Sequence, residues 1–497
     1  MRLDEDLKYF EDPEFKKILA EYEAAREVGE SLYMDADELT DIAEYYALVV
    51  NDEKSSNEVI DFALLLHPDA VDPQIFKARQ YMLKGDHDKA RELCDAIPDQ
   101  HHREVHFLRA ELLVRENKSE EAFSILYHVA YTINEDRDFF LFDSAYIFID
   151  YQQYDWALAF ANKLEEMAPN WYKTWQLQAD VQLGLENNRV ALTYIERMLD
   201  VDPFYVETWN WSAEAHSNLG EFNEAVESTD YALAIDPENE RSLQLKAWVL
   251  MQQGNSEEAH QLYEHLQSIN PGNEQHFLYD SYCLLDAERL DESLKMVVKA
   301  EEMAGEDCID QQAIYEQHAQ VLSRLGDVQG ALQYLDRAEK AKTGDAKRGS
   351  DKSMDDRLLR ARVYLENNLF EKASSYMTDL GNELQNDPNQ LFKLFKQFIG
   401  LVFDYGYYEE VVKFLEQKLD VYGVYDKDSD GEYFTYLAYS HMMLEHPEAT
   451  LKYLRKAIVA GAPNLAEIFA DAFPNVPANE LYDYYYYKVY GCWPDSH

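Results

Sequence analysis

Small and apolar residues recur along this chain at fixed intervals. Alanines stand at Ala145, Ala179, Ala213 and Ala247, and a second set stands at Ala157, Ala191, Ala225 and Ala259. Four prolines, Pro169, Pro203, Pro237 and Pro271, keep the same 34-residue step. This recurrence predicts helix pairs joined by short turns. Its physical reason is close packing. Alanine at the eighth position, in the first helix, and at the twentieth, in the second, lets two antiparallel helices approach closely. Larger apolar residues around them fill the layer between neighbouring units. Gly220 in NLGEF and Gly254 in QQGNS mark the turn inside a pair, where a left-handed backbone is easiest for glycine. Proline then ends the second helix, because it lacks the N–H, and is suited to opening the next.

Together these residues resemble the tetratricopeptide repeat family. The match is fullest over 206–239, where Trp209, Ala213, Gly220, Phe222, Ala225, Ala232 and Pro237 stand in family positions and His216 replaces the preferred tyrosine. Degenerate units extend the pattern upstream through Ala78, Gly85 and Ala90 and through Ala110 and Ala122. Downstream it continues through Ala319, Gly326, Ala331 and Ala338 and through Ala361 and Ala373. About twelve units are expected over 34–460. The predicted fold is all-α, a right-handed superhelical solenoid of antiparallel helix pairs. The expected organisation is an N-terminal helical cap (1–33), a main array (34–340), a polar linker or long loop (341–353), degenerate repeats (354–460) and a tyrosine-rich cap (461–497).

Composition narrows the partners. The 96 acidic and 45 basic residues leave a net charge of −51. Such a surface repels phosphate backbones and anionic membranes, so neither nucleic acid nor membrane is an expected partner. Solubility accounts for the charge first, and attraction of a basic partner second. The first residues lack the basic and apolar segments of a signal peptide, and no apolar run is long enough to span a bilayer, so a cytoplasmic protein is expected. Four scattered cysteines, Cys94, Cys283, Cys308 and Cys492, form no disulfide framework or zinc motif and are expected as reduced, mostly buried thiols.

Motifs for catalysis are missing: there is no phosphate-binding loop, dinucleotide fingerprint, nucleophile elbow or H-E-x-x-H. His102 and His106 share a helical face but lack a third ligand, so solvated histidines near a helix start are the better reading. Asp426, Asp428, Asp430 and Gly431 match the first half of the EF-hand calcium loop, yet Leu437 stands where the bidentate glutamate belongs. The preferred alternative is that Asp430 caps a helix beginning near Glu432. No cofactor is expected apart from calcium at this loop, the lesser reading. At the far end, ELYDYYYYKVYGCW is expected to pack its rings on the last helix pair, with a partner-binding patch as the alternative.

The resemblance implies where a partner sits. In that family, positions two, five, nine, twelve and thirteen of each first helix line a concave face. Carried over, these give Phe139, Phe142 and Tyr146 in one unit, Lys173, Gln176 and Asp180 in the next, Asn210 and Glu214 in the third, and Arg241, Gln244 and Trp248 in the fourth. Aromatic anchors beside amides and charges suit an extended peptide. The family's carboxylate clamp for chaperone tails is not reproduced. The expected function is a protein- or peptide-binding scaffold or adaptor, not an enzyme. A chaperone-like holdase for a basic client and the regulatory part of an unrecognised enzyme remain open alternatives.

Overall fold

The computed structural model describes residues 9–28, 33–133, 136–305, 308, 310–343, 354–383, 388–422 and 427–494, and contains no strand among them. Two compact units divide the chain, residues 1–255 and 256–497. In the first unit, α1 (Pro13–Val28) precedes six helix pairs. These are α2 (Ala36–Leu48) with α3 (Glu53–Leu66), α4 (Val71–Leu83) with α5 (His87–Ala96), and α6 (Arg103–Arg115) with α7 (Ser119–Thr132). Then come α8 (Arg137–Ile149) with α9 (Tyr154–Met167), α10 (Tyr172–Gly184) with α11 (Asn188–Val201), and α12 (Val206–Asn218) with α13 (Phe222–Ile235). The unit ends on α14 (Glu240–Gln252). The second unit repeats the design from Ser256–Ile269 to Leu481–Tyr490. Each unit is an all-helical solenoid.

Small residues set the spacing within the pairs of the first unit, as the sequence pattern requires. Ala78 and Ala90, Ala110 and Ala122, Ala145 and Ala157, Ala179 and Ala191, and Ala213 and Ala225 are all fully buried. The second unit departs from strict alanine: buried Ile399 and Val411 take these positions in one pair, Thr450 takes one in another, and serines take both in a third. In the second unit Ser281 and Ser293 are both buried, their hydroxyls 2.9 Å apart, and Gln317 Nε2 donates to Ser281 Oγ at 3.0 Å. At this pair the contact stays narrow while both serine hydroxyls find a partner. Larger side chains fill the layers between pairs. The first unit has no single central core but a succession of clusters, around Phe15 and Ile42, then Ile75 and Leu108, then Phe140 and Phe160, then Ile195 and Met198. This layering is the mark of a quasi-one-dimensional array.

The turn inside a pair has one backbone geometry whatever residue occupies it. Gly85, Gly220, Gly254, Gly326 and Gly406 have positive φ, and so do Asn117, Gln152, Glu186, Glu288, Asn368 and Glu445 at the same fifteenth position. The left-handed residue closes the first helix and redirects the chain within a few residues. The prolines of the 34-residue step follow the second helix at the junction between pairs, as expected, but do not open the next helix. Pro169 and Pro203 lie in the inter-pair turns, and the following helices open at Tyr172 and Val206. Their carbonyls accept from the indole N–H of Trp175 and Trp209, each at 2.8 Å, which ties the turn to the next first helix.

In the second unit, the acidic segment 427–431 is helical. The helix Lys427–Met443 begins before Glu432 and carries Gly431 inside it. This corrects the expected loop and its cap at Asp430. Gly431 serves close approach instead, since a Cβ there would stand 3.0 Å from the Cα of Ala462. Asp426 and the side chains of Asp428 and Asp430 lie outside the described residues, as do residues 344–353 of the polar stretch.

Three variants probe this architecture. Ala225→Leu should cost about 1–3 kcal/mol by overpacking; an unchanged melting midpoint would refute the close contact. Gly220→Ala should cost about 1 kcal/mol, because alanine resists φ near 73°. Glu186→Gly should leave stability within about 0.5 kcal/mol, since relief of the left-handed strain offsets the greater freedom of the unfolded glycine.

Candidate functional site

The first helices of successive pairs, α2, α4, α6, α8 and α10, lie side by side in the first unit. Equivalent positions therefore line up across them. At one end Asp37, Asp41 and Glu44 of α2 face Asp72, Ile75, Phe76 and Arg79 of α4 and Glu104 of α6 around a cavity of about 210 Å³. Arg79 and Glu104 also border a larger cavity of about 640 Å³. Its apolar surface comes from Met82, Leu83, Phe107 and Ile147. Its polar surface comes from Glu111, Arg115, Asp143, Tyr146, Asp150, Tyr151 and Lys173. Sharing two residues, the cavities form one trough.

Among the described residues, carboxylates outnumber cations around this trough eight to three. The cations are each engaged. Arg79 donates from Nη2 and Nε to Glu111 at 2.8 and 3.2 Å, with Glu104 at 3.6 Å. Arg115 Nε donates to the Tyr151 hydroxyl at 2.6 Å. Lys173 Nζ sits over the rings of Phe139 and Phe142, 5.4 and 5.2 Å from their centroids. Burial lowers the affinity of Arg79 for its proton, but Glu111, Glu104 and Glu44 outweigh it and hold the guanidinium firmly charged.

The excess acid shows in the carboxyls. Asp41 is pushed up by burial, opposed by the Tyr9 hydroxyl that donates to it at 2.6 Å, and raised further by the charges of Asp37 and Asp72. Asp72 is raised by burial and then by Asp37. Glu104 is raised by burial despite Arg79 and Arg103. Each of these groups binds its proton more tightly than in a free chain.

The expected site residues separate into groups. Tyr146 and Lys173 line the trough. Phe139 is exposed and rests edge-on against Trp171, their centroids 5.0 Å apart. Phe142, expected in the groove, is only 1% exposed, and packs beneath Lys173 against Tyr146 and Trp171. Asn210 is likewise corrected: it is fully buried and accepts from Ser242 Oγ at 2.7 Å, joining α12 to α14. Arg241 bridges Glu207 at 2.6 Å and Glu214 at 3.2 Å. Gln176, Asp180 and Gln244 are half-buried and Trp248 is 39% exposed; none borders the trough.

The trough residues from Asp37 to Arg115 were missed because the groove positions were carried over only from residue 138 onward. The signal was present. Counted from Ala78 and Ala110 as eighth positions, the same rule selects Asp72, Ile75, Arg79, Met82 and Leu83, and then Glu104, Phe107, Glu111 and Arg115.

Elsewhere, no three His, Cys, Asp or Glu side chains among the described residues are placed to hold a metal ion. His102 precedes α6, and His106 is half-buried, its proton affinity lowered by that burial. Among the described residues no helix is long and apolar enough to cross a membrane. In the tyrosine-rich segment, Leu481 and Tyr485 are buried. Tyr482, Tyr486 and Tyr490 border a cleft with Lys452 and Arg455, while Tyr484, Tyr487 and Trp493 are exposed.

Comparison with known proteins places three family models on the chain. Residues 177–240 and 219–278 each match a model described as tetratricopeptide repeat. Residues 78–200 match the model of the ChAPs, described as Chs5p-Arf1p-binding proteins. No curated protein sequence matches significantly. Similar solved structures include a tetratricopeptide repeat protein from Parabacteroides merdae, 17% identical, with 52% of this chain and 97% of that one covered and a TM-score of 0.40. PilF of Pseudomonas aeruginosa is 18% identical, with 46% and 97% covered and a TM-score of 0.35. MamA of Desulfovibrio magneticus is 16% identical, with 35% and 97% covered and a TM-score of 0.32.

The raised carboxyls give a pH prediction. Their folded proton affinities exceed the unfolded ones, so as pH falls from neutrality toward the ordinary carboxyl range, about pH 4, the folded state binds more protons than the unfolded chain and their contribution to stability increases. The Asp41→Asn, Asp72→Asn double variant should therefore show a smaller gain in melting midpoint over that interval than the parent. An equal gain would show that these carboxyls do not carry the effect.

Proposed function

Because the chain is built of tetratricopeptide repeats, we propose that it works as a protein-binding scaffold or adaptor whose concave trough holds an extended segment of a partner. The observation that carries this reading is the trough itself, formed by first-helix residues of five successive pairs and combining apolar surface with charged walls. Such a surface offers pockets for side chains and hydrogen-bonding groups for a backbone. Tetratricopeptide repeats generally serve protein interactions, and the stretch resembling Chs5p-Arf1p-binding proteins, 78–200, spans the whole lining of the larger cavity. That likeness supports an adaptor among protein partners. The partner segment is basic, in keeping with the carboxylate excess and the net charge of −51. The reading places the protein in the cytoplasm and assigns it no catalysis.

The test uses a native partner isolated on the intact chain. Tyr146→Ala should weaken its binding by about 2 kcal/mol, roughly thirtyfold, because few buried rings dominate an interface. A matching loss in Trp248→Ala extends the surface to α14, whereas no loss there confines it to the trough. Unchanged affinity in a folded Tyr146→Ala variant would remove the trough as the binding surface.

A further inference from the structure

The narrow end of the trough has a chemistry of its own. Its walls bring Asp37, Asp41 and Asp72 together beside the Phe76 ring and Ile75, in about 210 Å³. Asp41 and Asp72 are partly desolvated and each feels the charge of Asp37. Among the described residues, the one cation bordering this end, Arg79, is already taken by Glu111. Arg79 also shows what the groove does with a guanidinium: it holds the planar fork on a carboxylate, with a second acid close behind. The neighbouring end repeats the acids of that seat and adds an aromatic wall. The wide cavity opens directly beyond it, with Met82, Leu83 and Phe107 on its surface.

We propose that this end of the trough is an arginine-selecting subsite, which seats a guanidinium of the partner among Asp37, Asp41 and Asp72 against Phe76 while the flanking apolar residues of the same segment lie over Met82 and Phe107. The inference rests on the scaffold reading and deepens it, since it names the side chain that fixes the register of the bound segment. Two features favour arginine over lysine. A guanidinium presents several donors in one plane to carboxylates on different helices, and its flat face stacks on a ring while shedding water more readily than an ammonium. Relief of repulsion among the carboxylates strengthens the contact, because a cation placed between them stabilises all three charged forms.

The experiment uses the intact chain and four immobilised mixtures of short peptides. Each mixture has randomised uncharged residues around one fixed residue: arginine, lysine, citrulline or glutamate. Citrulline keeps the shape of arginine and removes its charge. Retention should fall in that order, with arginine at least about tenfold above citrulline. The Asp41→Asn, Asp72→Asn double variant should bring that ratio close to one. Asp291→Asn, an exposed change in the second unit, should leave it intact and so controls for the general negative field. Asp37→Asn, at an exposed side chain, keeps the test decisive should circular dichroism show that the double variant has unfolded. Equal retention of arginine and citrulline would overturn the subsite and leave the scaffold standing. Preference for arginine undiminished in the variants would place the seat elsewhere and overturn it too. Retention of no mixture at all would overturn both readings.

Discussion

This structure depends on a steric constraint repeated along most of the chain: in most pairs the two helices touch through side chains as small as alanine or serine, the pair of Ile399 and Val411 being an exception. Ala213 against Ala225 and Ser281 against Ser293 are examples, all four fully buried or nearly so. With that contact occupied by small groups, bulky apolar residues must go to the layers between pairs. There Phe140, Phe148 and Phe160, or Ile195 and Met198, form cores that belong to neighbours jointly. Stability then resides in a chain of interfaces rather than in one interior. The same spacing holds consecutive first helices side by side, so that side chains from different repeats meet without any long loop to position them.

Turn geometry enforces the register. A left-handed residue at the fifteenth position recurs even where glutamate, glutamine or asparagine must adopt it. Conserving that backbone conformation at the expense of local strain indicates that the tertiary packing decides the turn, and that glycine only makes it easier. The indole hydrogen bonds from Trp175 and Trp209 to proline carbonyls do comparable work at the other end of the repeat. Together they tie the turns at both ends of the repeat to the helices they connect.

Charge acts on two scales. The net charge of −51 sets the long-range field, which salt screens. Inside the trough, burial makes the same kind of charge specific, because Asp41, Asp72 and Glu104 are partly removed from water and the nearest cations are already engaged. In the scaffold we propose, field and pocket favour the same basic partner by different physics: one would speed encounter, the other select a side chain.

The sequence alone determined the repeat, its step, its two small positions and the all-helical fold, because each of these arises from contacts a few turns apart whose spacing is written directly in the residues. It also carried the concave positions of the upstream units, where Asp72, Arg79, Glu104 and Glu111 follow the same count from Ala78 and Ala110. Only the tertiary structure decided which of those positions face open space. Phe142 and Asn210 satisfy the positional rule yet are buried, one beneath Lys173 and the other in a hydrogen-bonded joint with Ser242. Only the fold, likewise, made the 427–431 segment a helix whose glycine admits Ala462. The physical reason is that exposure depends on side chains contributed by neighbouring repeats, and a count within one repeat contains no information about what the next one places against it.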